Sequence, residues 1–221
     1  MSVKLNRFLF LVILFAACGG LIPSYSIGKE LPDPTEQLRP FVDKIVNVLT
    51  DASLQGEENC FVRREKVMEI VMERFDFFEM SKRVLGSQWR KLSTPEKQEF
   101  VDQFTTLLEH AYIGKIEDYS SQKVEFKDQR IKGQRAQVKT LLIDQEVTIP
   151  VSYIMILKGE NWMVYDIIVE GVSLIRNYMD QFKEILRKDG YASLLKQLQD
   201  KVKELDSSTK PCPTDINTRE S

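Results

Sequence analysis

At Gln122 the apolar residues of this chain change their spacing. Upstream they recur at three- and four-residue steps, and downstream they alternate. A period near 3.6 gathers side chains on one stripe of a helix, whereas a period of 2 gathers them on one face of a strand. A chain carrying both in succession must pack helices against a sheet, so the fold class is α+β.

Four strands are predicted from the alternating part: Val124/Phe126, Ala136 to Leu142, Val147 to Leu157, and Trp162 to Val169. The breaks at Lys132-Gly133, Asp144-Gln145 and Lys158 to Asn161 are short enough for hairpins, giving an antiparallel meander. The last two strands are apolar on both faces, with Ile154 and Ile156 opposing Tyr153 and Met155, and only Asp166 interrupting the final one. An antiparallel sheet with one wet face alternates cleanly, so both faces are covered at that end.

The helical part begins with Asp33-Pro34, an N-cap followed by a first-turn proline, and a stripe of Leu38, Phe41, Val42, Ile45, Val46 and Leu49. A second helix follows the Gly56–Asn59 break. Phe75 to Trp89 reads as one or two short helices ended by Gly86 and Ser87, and Ser93-x-x-Glu96 is a capping box for a long helix. After the sheet, a helix from Gly171 carries Val172, Ile175, Tyr178, Met179 and Phe182, and Asp189-Gly190 separates it from a last one. Residues 34–205 form one domain, and 206–221 are a polar, disordered tail.

The N-terminus sets the compartment. Lys4 and Arg7 precede ten unbroken apolar residues, Phe8 to Ala17, too short to span a bilayer and suited to a signal peptide. Cleavage after Ser24-Tyr25-Ser26 removes residues 1–26. The alternative is a lipoprotein signal, 1–17, with a lipid anchor at Cys18 in the lipobox-like Phe15-Ala16-Ala17-Cys18-Gly19. Net charge is −2, and no basic stretch offers a nucleic-acid surface. Cys60 and Cys212 remain after cleavage. An oxidising compartment permits a bridge, but Cys212 lies in an aperiodic tail, and the plainer reading leaves both unpaired. One His and two distant Cys cannot assemble a metal site.

Catalytic patterns are missing too: there is no P-loop, dinucleotide fingerprint, GxSxG or HExxH. His110 reads as a boundary residue of the long helix, and Asp76, Asp166 and Glu170 as capping or paired carboxylates. Apolar stripes on helix after helix, added to two-faced strands, exceed what one core needs. The surplus implies an internal hydrophobic cavity for a mostly apolar ligand.

Phe75-Asp76-Phe77, then Met80 to Gly86 and Trp89, resemble the MlaC (toluene-tolerance, Tgt2-type) family. So do Leu92 to Phe100 and the block Val164 to Leu174 with Asn177-Tyr178 and Gln181-Phe182. The likeness covers roughly residues 34 to 201. It implies a curved four-stranded antiparallel sheet wrapped by helices, with acyl chains held between them. It also implies a periplasmic phospholipid shuttle, not an enzyme, that needs no cofactor beyond its cargo. The implied partners are an inner-membrane MCE-domain/ABC transporter complex and an outer-membrane lipoprotein–porin complex, which together maintain outer-membrane lipid asymmetry. Alternatives are a hopanoid or other hydrophobic-compound carrier, or an enzyme on a cone-shaped α+β fold. The residues expected to line the cavity are Phe77, Met80, Leu85, Trp89, Phe104, Leu108, Tyr112, Ile154, Ile156, Tyr165, Ile167, Val169, Val172 and Ile175.

Overall fold

Asp33 starts α1 (Pro34–Thr50) by accepting hydrogen bonds from the Thr35 and Glu36 N–H groups, with Pro34 in the first turn, where no backbone donor is needed. The computed structural model that shows this describes residues 31–117, 123–143 and 147–208. The predicted leader, Cys18, Gln122, the Asp144-Gln145 turn, Cys212 and the tail beyond Ser208 lie outside those residues. A short 3₁₀ turn (Ala52–Leu54) leads to α2 (Cys60–Arg74), and then α3 (Phe77–Leu85), capped by Asp76. A second 3₁₀ turn (Gln88–Lys91) carries Trp89 into α4 (Thr94–Glu117). The expected capping box opens α4: the Ser93 N–H donates to Glu96 Oε2 at 2.8 Å, and the Glu96 N–H reaches Ser93 Oγ at 3.4 Å.

The sheet follows as β1 (Lys123–Lys132), β2 (Arg135–Ile143), β3 (Thr148–Lys158), β4 (Asn161–Val169) and β5 (Val172–Ser173), paired antiparallel in chain order. It is the expected meander with one more strand. β5 takes the residues read above as the start of a helix. Glu170 and Gly171 both have positive φ (50° and 84°), which folds the chain straight back so that Val172 pairs with Val169. Ser173 then caps α5 (Leu174–Lys188), its hydroxyl accepting from the Arg176 N–H. The last helix, α6, runs Gly190–Ser208.

A bulge explains the two-faced character of β4. Met155 pairs with Val164 but Ile154 pairs with Asp166, leaving Tyr165 as the extra residue. The phase of the strand flips there. Trp162, Val164, Ile167 and Val169 therefore share one face, while Tyr165 and Asp166 both lie on the other with Ile154 and Ile156.

The sheet thus separates two apolar clusters. On one side Leu38, Phe41 and Val42 of α1 meet Ala136, Val138, Met155, Trp162 and Val164. On the other, Tyr165, Ile154 and Ile156 meet residues of α3, α4, α5 and α6. A smaller third cluster joins Leu49, Val67 and Ile113 from α1, α2 and α4. Cys60, buried at the start of α2, is disulfide-bonded, which corrects the unpaired reading of that residue.

Candidate functional site

The helix-covered side of the sheet is filled. Phe100 and Phe104 are fully buried and stack at 5.8 Å, and Phe182 meets both rings edge-on at 6.0 and 5.8 Å. Of the residues expected to line a cavity, Phe77, Met80, Leu85, Trp89, Phe104, Leu108, Tyr165 and Ile175 are buried in this cluster. Tyr112, Ile154 and Ile156 pack against it half-buried. The structure therefore brings most of the set together, in a tightly packed wall.

Ile167, Val169 and Val172 lie on the opposite face. Register places its side chains in transverse rows, one residue from each strand. Ala136, Met155 and Val164 are buried in one such row, whose β1 member, Ile131, is exposed. Val138, Tyr153 and Ile167 come next, with Tyr153 and Ile167 only half-buried. Beyond them run Phe126, Thr140, Val151, Val169 and Val172, and then Val124, Leu142 and Ile149. Cover fades along this series: Val169 is 42% and Val172 64% exposed, and only Thr140 of the outer rows is buried.

The reason lies in how α1 is held. Its first turns are tied down by polar bonds: Gln37 Oε1 accepts from the Trp162 N–H at 2.8 Å, and Gln37 Nε2 donates to the Glu160 carbonyl at 2.7 Å. Trp162 Nε1 also donates to the Pro32 carbonyl, and Thr35 Oγ1 to Gln129 Oε1. No such bond reaches the sheet from Ile45, Val46 and Val48 further along α1. That end of the helix faces the sheet and the third cluster with half-buried apolar side chains. α1 is thus pinned by hydrogen bonds at its start, and over the outer rows its contacts with the sheet are apolar apart from Arg39 over the Phe126 ring.

Few polar groups interrupt the open face. Thr140 hydrogen-bonds the Tyr153 hydroxyl, and burial pushes that phenol up to about 12. Tyr153 as a whole is half-buried, so its row is not fully enclosed. At the rim, the Arg39 guanidinium stands 4.3 Å from the Phe126 ring centre. Such a face can bind by burial of apolar surface and offers no group positioned for proton transfer.

The carboxylates have structural employment. Asp166 Oδ2 accepts from the Ser173 hydroxyl at 2.6 Å, and Oδ1 from the Ile175 N–H at 3.0 Å, fixing the start of α5. Asp76 Oδ1 accepts the Glu79 N–H at 3.0 Å, while its other oxygen pairs with Lys158. His110 is half-buried on α4 with Nδ1 unpartnered. Among the described residues no group of His, Cys, Asp and Glu could hold a metal, and no helix is long and apolar enough to cross a membrane. A separate open depression of about 400 Å³ lies on the filled side, lined by Met72, Phe75, Phe77, Phe78 and Val101 with the Asp76–Lys158 pair.

Sequence reasoning missed Val124, Phe126, Leu142, Ile149 and Val151 as candidate lining residues. Their alternation was visible, but only the strand register shows that they share a face with Val169 and Val172.

The family model described as MlaC protein matches residues 39–200. A curated relative, the intermembrane phospholipid transport system binding protein MlaC of Haemophilus influenzae (strain ATCC 51907 / DSM 11121 / KW20 / Rd), is 27% identical over 123 residues. That match spans 53% of this chain and 58% of the relative, little more than half of each. Among solved structures, a phospholipid-binding protein from Ralstonia solanacearum in complex with a phospholipid superposes with a TM-score of 0.71 at 22% identity. It covers 79% of this chain and 99% of that one, a likeness of fold.

Proposed function

This chain belongs to the MlaC protein family, and on that premise we propose that it is a phospholipid carrier of the bacterial periplasm. It is exported by the leader in residues 1–26, and shuttles lipid between an inner-membrane ABC transporter complex with an MCE-domain subunit and an outer-membrane lipoprotein–porin complex. Its role is to maintain outer-membrane lipid asymmetry, the property behind the family's toluene-tolerance label. It performs no catalysis.

One observation carries the reading: one face of the sheet is closed by a large buried cluster, whereas the outer rows of the other, apart from Thr140, stay half-buried or exposed. Acyl chains lie along those rows, against Ile167, Val169 and Val172 together with Phe126, Val151, Leu142 and Ile149. The remaining residues picked from the sequence, from Phe77 to Ile175, form the wall that keeps the sheet in shape. Each methylene taken from water contributes about 0.8 kcal/mol, so two chains give ample affinity without a charged anchor. Release then needs a partner that lifts the weakly held end of α1. The phosphate headgroup stays at the rim, where Arg39 offers an exposed cation beside Phe126.

Mass spectrometry of an organic extract tests this directly. Protein exported to the periplasm of a bacterial host and purified without detergent is expected to release phospholipid in near-stoichiometric amount. A hopanoid in its place would keep the carrier and change the cargo. An extract free of lipid, from protein that also fails to take up phospholipid from vesicles, would sink the proposal.

A further inference from the structure

The cluster under α3 to α6 takes its strand residues from one half of the sheet: Ile154, Ile156 and Tyr165 belong to β3 and β4. On β1 and β2 the same side carries charge instead. Lys123, Lys127, Arg130 and Lys132 of β1 stand there with Arg135 and Lys139 of β2, all six exposed. We propose that this half-face docks onto an anionic lipid bilayer. The inference rests on the carrier reading above, which gives the protein a reason to visit a membrane.

On that half-face the two strands contribute only two carboxylates against the six cations. Glu125 pairs with Lys123 at 2.9 Å and with Lys127, and Asp128 pairs with Lys139 at 3.4 Å. Arg130, Lys132 and Arg135 have no ion pair among the described residues. Lys132 and Arg135 stand directly opposite each other in the register, where like charges work against strand pairing. The fold bears this repulsion on a chain whose net charge is −2. Charge gathered so unevenly draws an anionic partner.

Side-chain chemistry selects a bilayer over a protein. Arg130 and Lys132, with Arg135, Gln137 and Lys139, present no apolar or aromatic group on this side, and four of the six cations are lysines. Protein interfaces centre on aromatic, Met and Arg side chains and are depleted of Lys. A bilayer asks only for cations close to its charged surface and needs no pocket. The same strand carries one end of the outer apolar row: Phe126, with Arg39 over its ring, lies between Glu125 and Lys127. Docking through β1 therefore brings that end of the row beside the lipid.

The test floats the full exported chain with phosphatidylcholine vesicles, with and without phosphatidylglycerol, over a salt series. Binding is expected to the anionic vesicles alone and to fall as salt rises. Arg130→Glu, Lys132→Glu and Arg135→Glu combined should lower the bound fraction at least about tenfold, and the three Gln changes should fall between that and the native sequence. Arg90→Glu, Lys183→Glu and Lys203→Glu combined carry the same net charge on the helical part and should bind within about twofold of the native sequence. Equal binding to both vesicles, or equal loss in the two Glu triples, overturns the proposal. So does a native chain that binds polyglutamate and ignores the vesicles, which would assign the face to an acidic protein. Lipid extracted from the purified chain reports the carrier reading separately. A chain that carries lipid but ignores vesicle charge refutes docking alone, and one that docks through this face but never holds lipid refutes the carrier alone.

Discussion

On the side of the sheet covered by α3 to α6, Tyr165 is 7% exposed and Phe104 is fully buried; on the side covered by α1, Val169 is 42% and Val172 64% exposed. The same strands supply both faces with residues of similar apolarity. The difference comes from the helices. Four of them close one face, with α4 and α5 interlocked through the Phe100, Phe104, Tyr178 and Phe182 rings. On the other, α1 is fastened to the sheet at its beginning by Gln37, Thr35 and the Trp162 indole, and its further half is held by apolar contact and the exposed Lys44–Glu73 pair to α2. The sheet needs one rigid side if the other is to open without unravelling.

Breaking the rigid side should have the largest effect. Phe104→Ala removes a ring with no exposed surface and is expected to cost about 3–5 kcal/mol. Urea denaturation reads this directly, and a loss below about 1 kcal/mol would mean that the wall is loose.

On the open face the expectation inverts. Val169→Glu leaves its carboxylate in water when the face is empty, so the urea midpoint should hardly move. Any acyl chain lying there would have to strip that charge of solvent, and co-purified lipid should fall at least about tenfold. Lipid retained at native levels would exclude Val169 from the binding surface.

Asp166→Asn weakens two charge-assisted bonds at the α5 start on the rigid side, with an expected loss of about 2 kcal/mol and unchanged lipid content. An equal loss of both would show that the two faces are coupled through β4. Tyr153→Phe removes one hydroxyl from the open face, at an expected cost of about 1 kcal/mol, again by urea midpoint and with lipid kept.

A separate effect is alkaline. Burial pushes the Tyr153, Tyr178 and Tyr191 phenols up to about 12. The unfolded chain ionises these groups near ~10 and so binds fewer protons than the folded one between those values. Stability should decline as pH rises through that window and level off above it. Phenolate absorbance of all seven tyrosines appearing near pH ~10 while the fold is intact would contradict the burial of these rings.

Much of this architecture was legible beforehand. Hairpin spacing gave the antiparallel order, the Ser93–Glu96 pair gave the start of α4, and Asp33-Pro34 gave that of α1. Double-sided apolarity in β3 and β4 correctly implied cover on both faces. The bulge at Tyr165 was not legible, because alternation in an all-apolar strand leaves no mark where the phase slips. β5 escaped notice because two residues are too few to show a period, and Glu170 is an unusual residue for positive φ. The open rows escaped for a third reason. Burial along a strand depends on which helix lies over it, and the hydrogen bonds that pin α1 join residues far apart in the chain.

The row from Phe126 through Thr140, Val151 and Val169 to Val172 crosses the sheet at right angles to the strands. Its length is therefore a count of strands: four steps of ~4.8 Å, or about 19 Å. β5 adds the last step with a single valine. If acyl chains lie along this row as proposed, backbone spacing would set the length of the cargo, as a ruler does, rather than the fit of individual side chains. Substituting one apolar residue for another along the row should leave chain-length preference where it is, whereas losing the Val169–Val172 pairing should shorten the preferred tail. Competition between phospholipids of graded length would read either outcome.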